Sequence, residues 1–567
     1  MRRFLTFLLA AATVAAAPID KQLHVRIPMR DGTRLCLNVF RPAGAGRFPA
    51  ILIRTPYGKG ADISPNNQAF VDRGYAVIVQ DVRGRSDSRG VFDPLYQEMP
   101  DGEDTLKWVV GQPWSNGDVG MMGGSYLGIV QWRLALVNDP HLKAIFPNVS
   151  GYDDYLDRFY STGGAMKLGQ RLLWIADNMK MPDFIKPEFS RFVPHLPLRT
   201  SDRAAAGQRI DMLQKALDHP AYDSFWKALS VRERLADIRV PVFSVGGWYD
   251  NFVESDIEAF ATLRKMGRQA RLLVGPWPHN MSMTFPGVDF GSDSSVPLRT
   301  IQLEWFDYWL KPGPEKRPPA GGPLRIFVMG ANRWRDEQEW PLKRTRWTPM
   351  YLASHGSANS LDGDGMLTPR QTRNERPDRF AYDPRNPVPT MGGAVCCNPK
   401  VYPWGPMDQR PVERRRDVLV YDGRPLKEDL EVTGPVKVIL HIATSAPDTD
   451  FTAKLVDVFP DGHARNLTDG ILRLRYRQSL EKAVPARPNE IYPITIDAGV
   501  TSNVFRAGHR VRLEISSSNF PRFDRNPNTG RPIADETELR NALQVVYHDR
   551  QHPSHVLLPV IPRVVRK

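Results

Sequence analysis

Cysteine is scarce in this chain: three residues among 567, Cys36, Cys396 and Cys397. So low and odd a count excludes a scaffold built on several disulfides in place of a core. Cys396 and Cys397 are adjacent, and across a trans peptide their Cα atoms would stand ~3.8 Å apart, below the usual ~4.4–6.8 Å for a bridge. They are expected to pack as two small apolar residues. Long hydrophobic runs are also missing beyond the N-terminus. There Arg2-Arg3 precede an apolar run from Phe4 to Ala12, followed by Val14-Ala15-Ala16-Ala17 and Pro18. The run falls short of the ~20 residues a spanning helix needs, and its charged head and small-residue exit describe a secretory signal. Residues 1–16 therefore read as a signal peptide cleaved near Ala16, and the mature protein as secreted or periplasmic, with no membrane span.

Concentrated charge is lacking as well. The net charge is +13, yet acids interleave with the Lys and Arg, and the densest basic run, Arg414-Arg415-Arg416, is bracketed by Glu413 and Asp417. Nucleic-acid binding needs a basic stripe or patch, so this run reads as solvated surface and no nucleic-acid partner is expected. Hydrophobic residues at 41% and charged residues at 25% match folded soluble proteins and exclude a disordered or collagen-like chain. The length accommodates about two to four domains.

Three textures follow one another. From Leu23 to Arg41, alternating runs flank the turn pair Asp31-Gly32, as in a hairpin. Short unbroken apolar runs come next, Ala50 to Ile53, Ala76 to Val79, Val119 to Met122, Ala144 to Phe146, Val242 to Val245 and Arg271 to Val274. They are too short for helices and too apolar for half-exposed strands, which predicts buried strands of a mostly parallel sheet. Between Ser150 and Arg239 the pattern turns helical, with Ile210, Leu213 and Leu217 at helical spacing and Leu172, Leu173 and Ile175 beside Trp174. After about Thr345, runs at 436–442, 451–459, 471–476 and 511–515 are punctuated by Pro, Gly, Asn and Asp, the texture of an all-β jelly roll. The expected fold class is α/β, with the catalytic domain at 17–149 and 240–345, a helical cap inserted at 150–239 and a jelly roll at 346–567.

The sharpest local feature is Gly123-Gly124-Ser125-Tyr126-Leu127-Gly128, which joins a predicted strand to a predicted helix. A serine held on such a turn needs glycine neighbours, and the turn lifts its hydroxyl above the sheet. A neutral hydroxyl is a weak nucleophile and needs a base and an orienting carboxylate. Asp250 follows the strand at 242–245 and His279 follows the strand at 271–274. The chain order Ser, Asp, His is that of α/β-hydrolases. Tyr57, in the loop after the strand at 50–53, offers a phenol, and the Tyr126 backbone N–H lies beside the serine; both are candidate oxyanion donors.

Taken together, Arg54-Thr55-Pro56-Tyr57, Gly123 to Gly128, Gly247-Trp248-Tyr249-Asp250, Gly275-Pro276-Trp277-Pro278-His279 and Asp448 to Leu455 resemble the cocaine-esterase-like hydrolases, which are grouped with the X-Pro dipeptidyl-peptidases. The resemblance runs from about residue 22 to the C-terminus. It implies an α/β-hydrolase domain, an inserted cap and a galactose-binding-like jelly roll. By it Ser125 is the nucleophile, Asp250 and His279 are its partners, and Tyr57 with the Tyr126 N–H forms the oxyanion hole.

The expected reaction is hydrolysis of a small ester or simple acyl amide, with neither metal nor organic cofactor. The α-amino-acid ester hydrolases of the resembled family carry acidic residues just after the triad Asp to hold an ammonium group, whereas here no carboxylate follows Asp250 until Glu254; the resemblance thus implies a neutral acyl pocket, with Phe252, Phe159 and Trp174 as walls. The stretch from Gly392 to Cys397 carries no aromatic residue, unlike the corresponding stretch of the cocaine-hydrolysing member, so cocaine itself is not the expected substrate. An X-Pro dipeptidyl-peptidase is the rival enzyme, and Asp153, Asp154 and Asp157 are its only candidate anionic subsite; at i, i+1 and i+4 they read instead as a solvated helix face. A carbohydrate-binding jelly-roll protein is the rival outside enzymes. The sequence admits a homodimer without identifying one.

Overall fold

A computed structural model describes residues 18–282, 284–311, 313, 319–371 and 375–563. The signal peptide read over residues 1–16 lies outside the described residues.

Ten strands form one sheet: β1 (Ile19–Pro28), β2 (Arg34–Pro42), β3 (Phe48–Thr55), β4 (Ala76–Asp81), β5 (Ser115–Gly124), β6 (Leu142–Asn148), β7 (Val242–Tyr249), β8 (Ala270–Pro278), β9 (Leu324–Val328) and β10 (Arg333–Glu337). Their spatial order is β1-β2-β4-β3-β5-β6-β7-β8-β9-β10. Neighbours from β4 through β9 are parallel, and the flanking pairs are antiparallel. The predicted apolar runs are its central strands. Every residue of β4 and β7 is buried, because helices cover both faces of a parallel sheet and leave no side free for polar residues. The β1–β2 turn spans residues 29–33, longer than a two-residue hairpin loop. The Gly32 amide donates to the Met29 carbonyl at 2.9 Å, with Gly32 at φ 80°.

Between β6 and β7 the chain leaves the sheet for a series of helices, including Asp154–Phe159, Leu168–Asn178, Asp211–Asp218 and Ser224–Leu229. Leu172, Leu173, Ile175, Ile210, Leu213 and Leu217 are buried, as their spacing predicts. The acids at 153, 154 and 157 correct the sequence reading: they are 2–3% exposed. Asp154 pairs with Arg133 and Arg158, while Asp153 accepts the Leu156 amide at 2.8 Å. Asp157 accepts the Tyr152 and Asp153 amides at 2.8 and 2.7 Å, along with the Ser255 hydroxyl. Their spacing fixes a shared face without fixing what that face meets.

From Arg346 onward the chain is all-β. Eleven strands from Arg346–Ala353 to His555–Ile561 form a second sheet. The long strands Leu430–Thr444 and Tyr492–Phe505 run antiparallel within it. One predicted run differs: Ile471 to Arg473 ends a strand, and Leu474–Tyr476 is a single 3₁₀ turn. The helical insertion docks on this β region where the Gly169 amide donates to the Pro521 carbonyl and the Asp524 amide to that of Met166, both at 2.8 Å. In the basic run, Arg414 and Arg416 are exposed and Arg415 pairs with Asp417. Glu413 instead turns inward to Arg512 at 2.6 Å.

Candidate active site

The site is built on the junction of β5 with the helix Tyr126–Ala135. Ser125 sits between them at φ 55°, ψ −124°, a region L-residues occupy only when their surroundings over-determine it. The surroundings do so. The Ser125 amide donates to the Asn148 carbonyl at 2.9 Å, and its own carbonyl accepts the Gly128 and Ile129 amides at 2.9 and 3.2 Å. Gly123 adopts φ 134°, and a Cβ there would stand 2.6 Å from Leu127 Cβ, so only glycine fits before the turn.

The C-terminal ends of β5, β7 and β8 converge on this point. His279 follows β8 and places Nε2 3.1 Å from Ser125 Oγ. Its Nδ1 lies 2.7 Å from Asp250 Oδ1, and Asp250 is wholly buried just past β7. The other Asp250 oxygen accepts the Phe252 amide at 3.2 Å. A carboxylate on Nδ1 selects the tautomer with its proton there, which leaves Nε2 free to accept the proton of Ser125 Oγ.

Tyr126 opens the helix, where its N–H has no intrahelical acceptor. Its hydroxyl donates to Glu98 Oε1 at 2.5 Å, and Glu98 pairs with Arg54 at 2.9 Å. Burial and Glu98 hold the phenol well above its ordinary range, so it stays a neutral donor. Tyr57 is 47% exposed, and its hydroxyl oxygen accepts Trp174 Nε1–H at 3.1 Å. That contact occupies the oxygen and leaves the phenolic proton to donate elsewhere.

Ser125, Phe252 and Trp174 line one cavity together with Arg158, Arg171 and the Cys396–Cys397 pair. Phe252 lies 5.5 Å from the His279 ring, and Trp174 stacks on Tyr126 at 6.3 Å. Phe159 is the exception among the predicted wall residues. It is fully buried and packs 5.5 Å from Trp226, behind Arg171, whose guanidinium covers its ring at 4.7 Å. The turn Asp154–Phe159 aims this side chain into the core of the helical insertion, away from the cavity.

Cys396 and Cys397 are another correction, being joined to each other as a disulfide. The contrary expectation assumed a trans peptide, whereas the bond between them is cis and the Cα atoms stand 3.2 Å apart. Cys36 is a buried free thiol. The arginines contradict the expectation of a neutral pocket. Neither Arg158 nor Arg171 lies in a recognisable motif, and only the folding of the insertion over the sheet brings them to Ser125.

A larger cavity of about 420 Å³ between the insertion and the β region, lined by Tyr160, Arg199 and Arg473 among others, contains none of Ser125, Asp250 and His279. Among the described residues, one group of metal-capable side chains, His24, Cys36 and Asp87, has ligand atoms within 4.8 Å of one another. Asp87 there is already paired with Lys59, and none of the three lines the Ser125 cavity. No described helix is long and apolar enough to cross a membrane.

A parallel sheet in this strand order, with a serine elbow after β5, defines an α/β-hydrolase-type enzyme. The family is set by comparison. Residues 31–281 match the X-Pro dipeptidyl-peptidase (S15 family) model, and residues 320–557 match the X-Pro dipeptidyl-peptidase C-terminal non-catalytic domain. The chain is 40% identical to a cocaine esterase of Rhodococcus sp. (strain MB1 Bresler) over 95% of this chain and 98% of that one. Among solved structures, an aminopeptidase from a marine sediment Thaumarchaeota archaeon superposes with a TM-score of 0.84 at 25% identity, over 99% of each chain. An α-amino acid ester hydrolase does so at 0.82 and 26% identity, over 98% of each. The chain belongs to the cocaine-esterase-like hydrolases of the X-Pro dipeptidyl-peptidase (S15) family, and it is a hydrolase.

Tyr126→Phe keeps the backbone N–H but deletes the hydroxyl bonded to Glu98. A hydrogen bond to a charged group contributes about 1.5–3 kcal/mol. The variant is expected to unfold at lower urea than wild type by circular dichroism, and an unchanged midpoint would show that the Glu98 contact contributes nothing.

Proposed function

We propose that the protein is an exported serine hydrolase that cleaves carboxylic esters or simple acyl amides through an acyl-enzyme. The observation that carries this reading is the hydrogen-bonded chain from Ser125 Oγ through His279 to buried Asp250. Its 3.1 and 2.7 Å links are the geometry that nucleophile, base and orienting acid require. His279 Nε2 takes the Oγ proton as Ser125 attacks the carbonyl, and Asp250 stabilises the imidazolium. The Tyr126 N–H and the Tyr57 O–H receive the oxyanion. His279 then protonates the leaving group. The proton of an incoming water passes to Nε2, the hydroxide oxygen bonds the acyl carbon, and Ser125 leaves with the proton returned. The N-terminal charged, apolar and small-residue sequence supports export. The proposed division places a helical cap at 150–239 and a jelly roll from 346 onward.

The X-Pro peptidase reading is less favoured. A peptide amine needs a carboxylate at the site, and the cavity wall beside Ser125 holds Arg158 and Arg171, with no Asp or Glu among its described residues.

Ser125→Ala is expected to lower turnover of p-nitrophenyl esters by on the order of 10⁴–10⁶ while circular dichroism stays that of wild type; retention of wild-type turnover would sink the assignment. On a panel of p-nitrophenyl esters, acyl anilides and X-Pro anilides, the esters should be turned over fastest. Preference for the X-Pro anilides would reinstate the peptidase reading.

Tyr57→Phe keeps the ring and deletes one oxyanion donor. Its kcat should fall by roughly 10²–10³ with KM little changed. A kcat close to that of wild type would return Tyr57 to a packing role.

A further inference from the structure

The cavity of about 420 Å³ between the helical insertion and the β region shares no lining residue with the cavity of Ser125. Sites for small ligands span about 300–1,000 Å³, so its volume suits one. Much of its wall is apolar: Met166, Leu198 and Leu217 come from the insertion, and Ile533 from the β region. Two aromatic rings, Tyr160 and Tyr476, face it from either side. The Tyr160 hydroxyl is committed to the Ala216 carbonyl at 2.7 Å, which leaves the ring as its contribution.

The polar part of the wall carries an excess of carboxylate. Arg473 meets both Asp450 and Asp524, Arg199 meets both Asp218 and Asp535, and Arg475 meets Asp448. Three arginines thus answer to five aspartates. Burial pushes the Asp450 carboxyl up only to about 6, so it is ionised at neutral pH.

Asp524 is where the excess is unmet. It is 3% exposed and forms part of the cavity wall. Its Oδ1 accepts the Met166 amide at 2.7 Å and Arg473 Nη2 at 3.0 Å. Among the described residues its Oδ2 has no hydrogen-bond partner. Leaving a buried carboxylate oxygen bare is costly, and a donor that also carries positive charge would meet both the bare oxygen and the excess. The Ser125 cavity has the opposite character, with Arg158 and Arg171 and no Asp or Glu among its described lining residues, so a cation is drawn to the larger cavity and not to the smaller.

We propose that the larger cavity is a second binding site, for a small organic cation whose ammonium meets Asp524 Oδ2 and whose apolar body lies against Tyr160, Leu217 and Tyr476. Such a ligand is no substrate, since Ser125, Asp250 and His279 lie outside the cavity. It touches the insertion and the β region at once, and so holds one on the other. The inference does not depend on the hydrolase reading.

The test is calorimetric titration of the full-length protein at neutral pH with 2-phenylethylamine and with its uncharged isostere 2-phenylethanol. The amine should bind saturably, one per chain, and roughly ten- to a hundredfold more tightly than the alcohol, the scale of a charge-assisted hydrogen bond. Asp524→Asn should erase most of that preference. Because Asp524 also pairs with Arg473, a second variant acts from the rim: Ala221 lines the cavity and is partly exposed, and Ala221→Trp should fill the space and abolish binding while circular dichroism stays that of wild type. Bound amine should also raise the unfolding temperature of wild type and not of Ala221→Trp. No saturable binding of the amine at millimolar concentration, as for a cavity that holds water alone, would overturn the proposal. Equal affinity for amine and alcohol, or amine binding that survives Ala221→Trp, would overturn it as well.

Discussion

The strained backbone of Ser125, at φ 55° and ψ −124°, is the constraint on which the rest of the site depends. A conformation of this kind costs about 1–3 kcal/mol and persists only while both flanks are held. On one side Asn148, at the end of β6, accepts the Ser125 amide; on the other, the first turn of the helix from Tyr126 donates to its carbonyl. The hydroxyl is thereby lifted to the edge where the parallel strands β7 and β8 deliver Asp250 and His279. Because β7 and β8 are adjacent and paired up to Tyr249 and Pro278, two residues 29 positions apart meet at hydrogen-bond distance without any long loop to order.

A second layer of buried charge couples this elbow to the helical insertion. Arg133 lies on the elbow helix, Asp154 and Arg158 on the insertion, and they form one linked set, with the Arg158 guanidinium 5.4 Å over the Tyr126 ring. The Tyr126 hydroxyl in turn joins Glu98 and Arg54. Trp174 reaches from the insertion to the Tyr57 hydroxyl, so the loop after β3 is tied to the same cover. Buried pairs of this kind add little net stability, yet removing one partner leaves the other uncompensated. Their effect is to fix the insertion's position over Ser125, and so the wall that a substrate meets.

Much of this frame was legible in the sequence because it is written in local pattern. Unbroken apolar runs became β3 to β8, and the glycines around Ser125 announced a turn with no space for side chains. Loop residues after successive strands, Asp250 and His279, met where their chain order said they would. What stayed hidden depends on contacts between distant segments. Asp153, Asp154 and Asp157 have the spacing of a helix face whether it meets water or Arg133. Phe159 was one of several aromatic residues, and only the turn at 154–159 decides that it points into the insertion core. Arg171 and Arg158 resemble the many scattered basic residues of a chain with net charge +13 until the insertion folds over the sheet and brings them to Ser125. The Cys396–Cys397 bond depended on a backbone isomer that pattern does not encode.

The central claim is that Ser125 acts as the nucleophile. Labelling the folded protein with a fluorophosphonate and mapping the adduct by peptide mass spectrometry tests it most directly. The account predicts a single phosphonylated peptide with the modification on Ser125, and no adduct after Asp250 and His279 have both been replaced. Labelling at another residue, or none under conditions where the protein hydrolyses an ester, would contradict it.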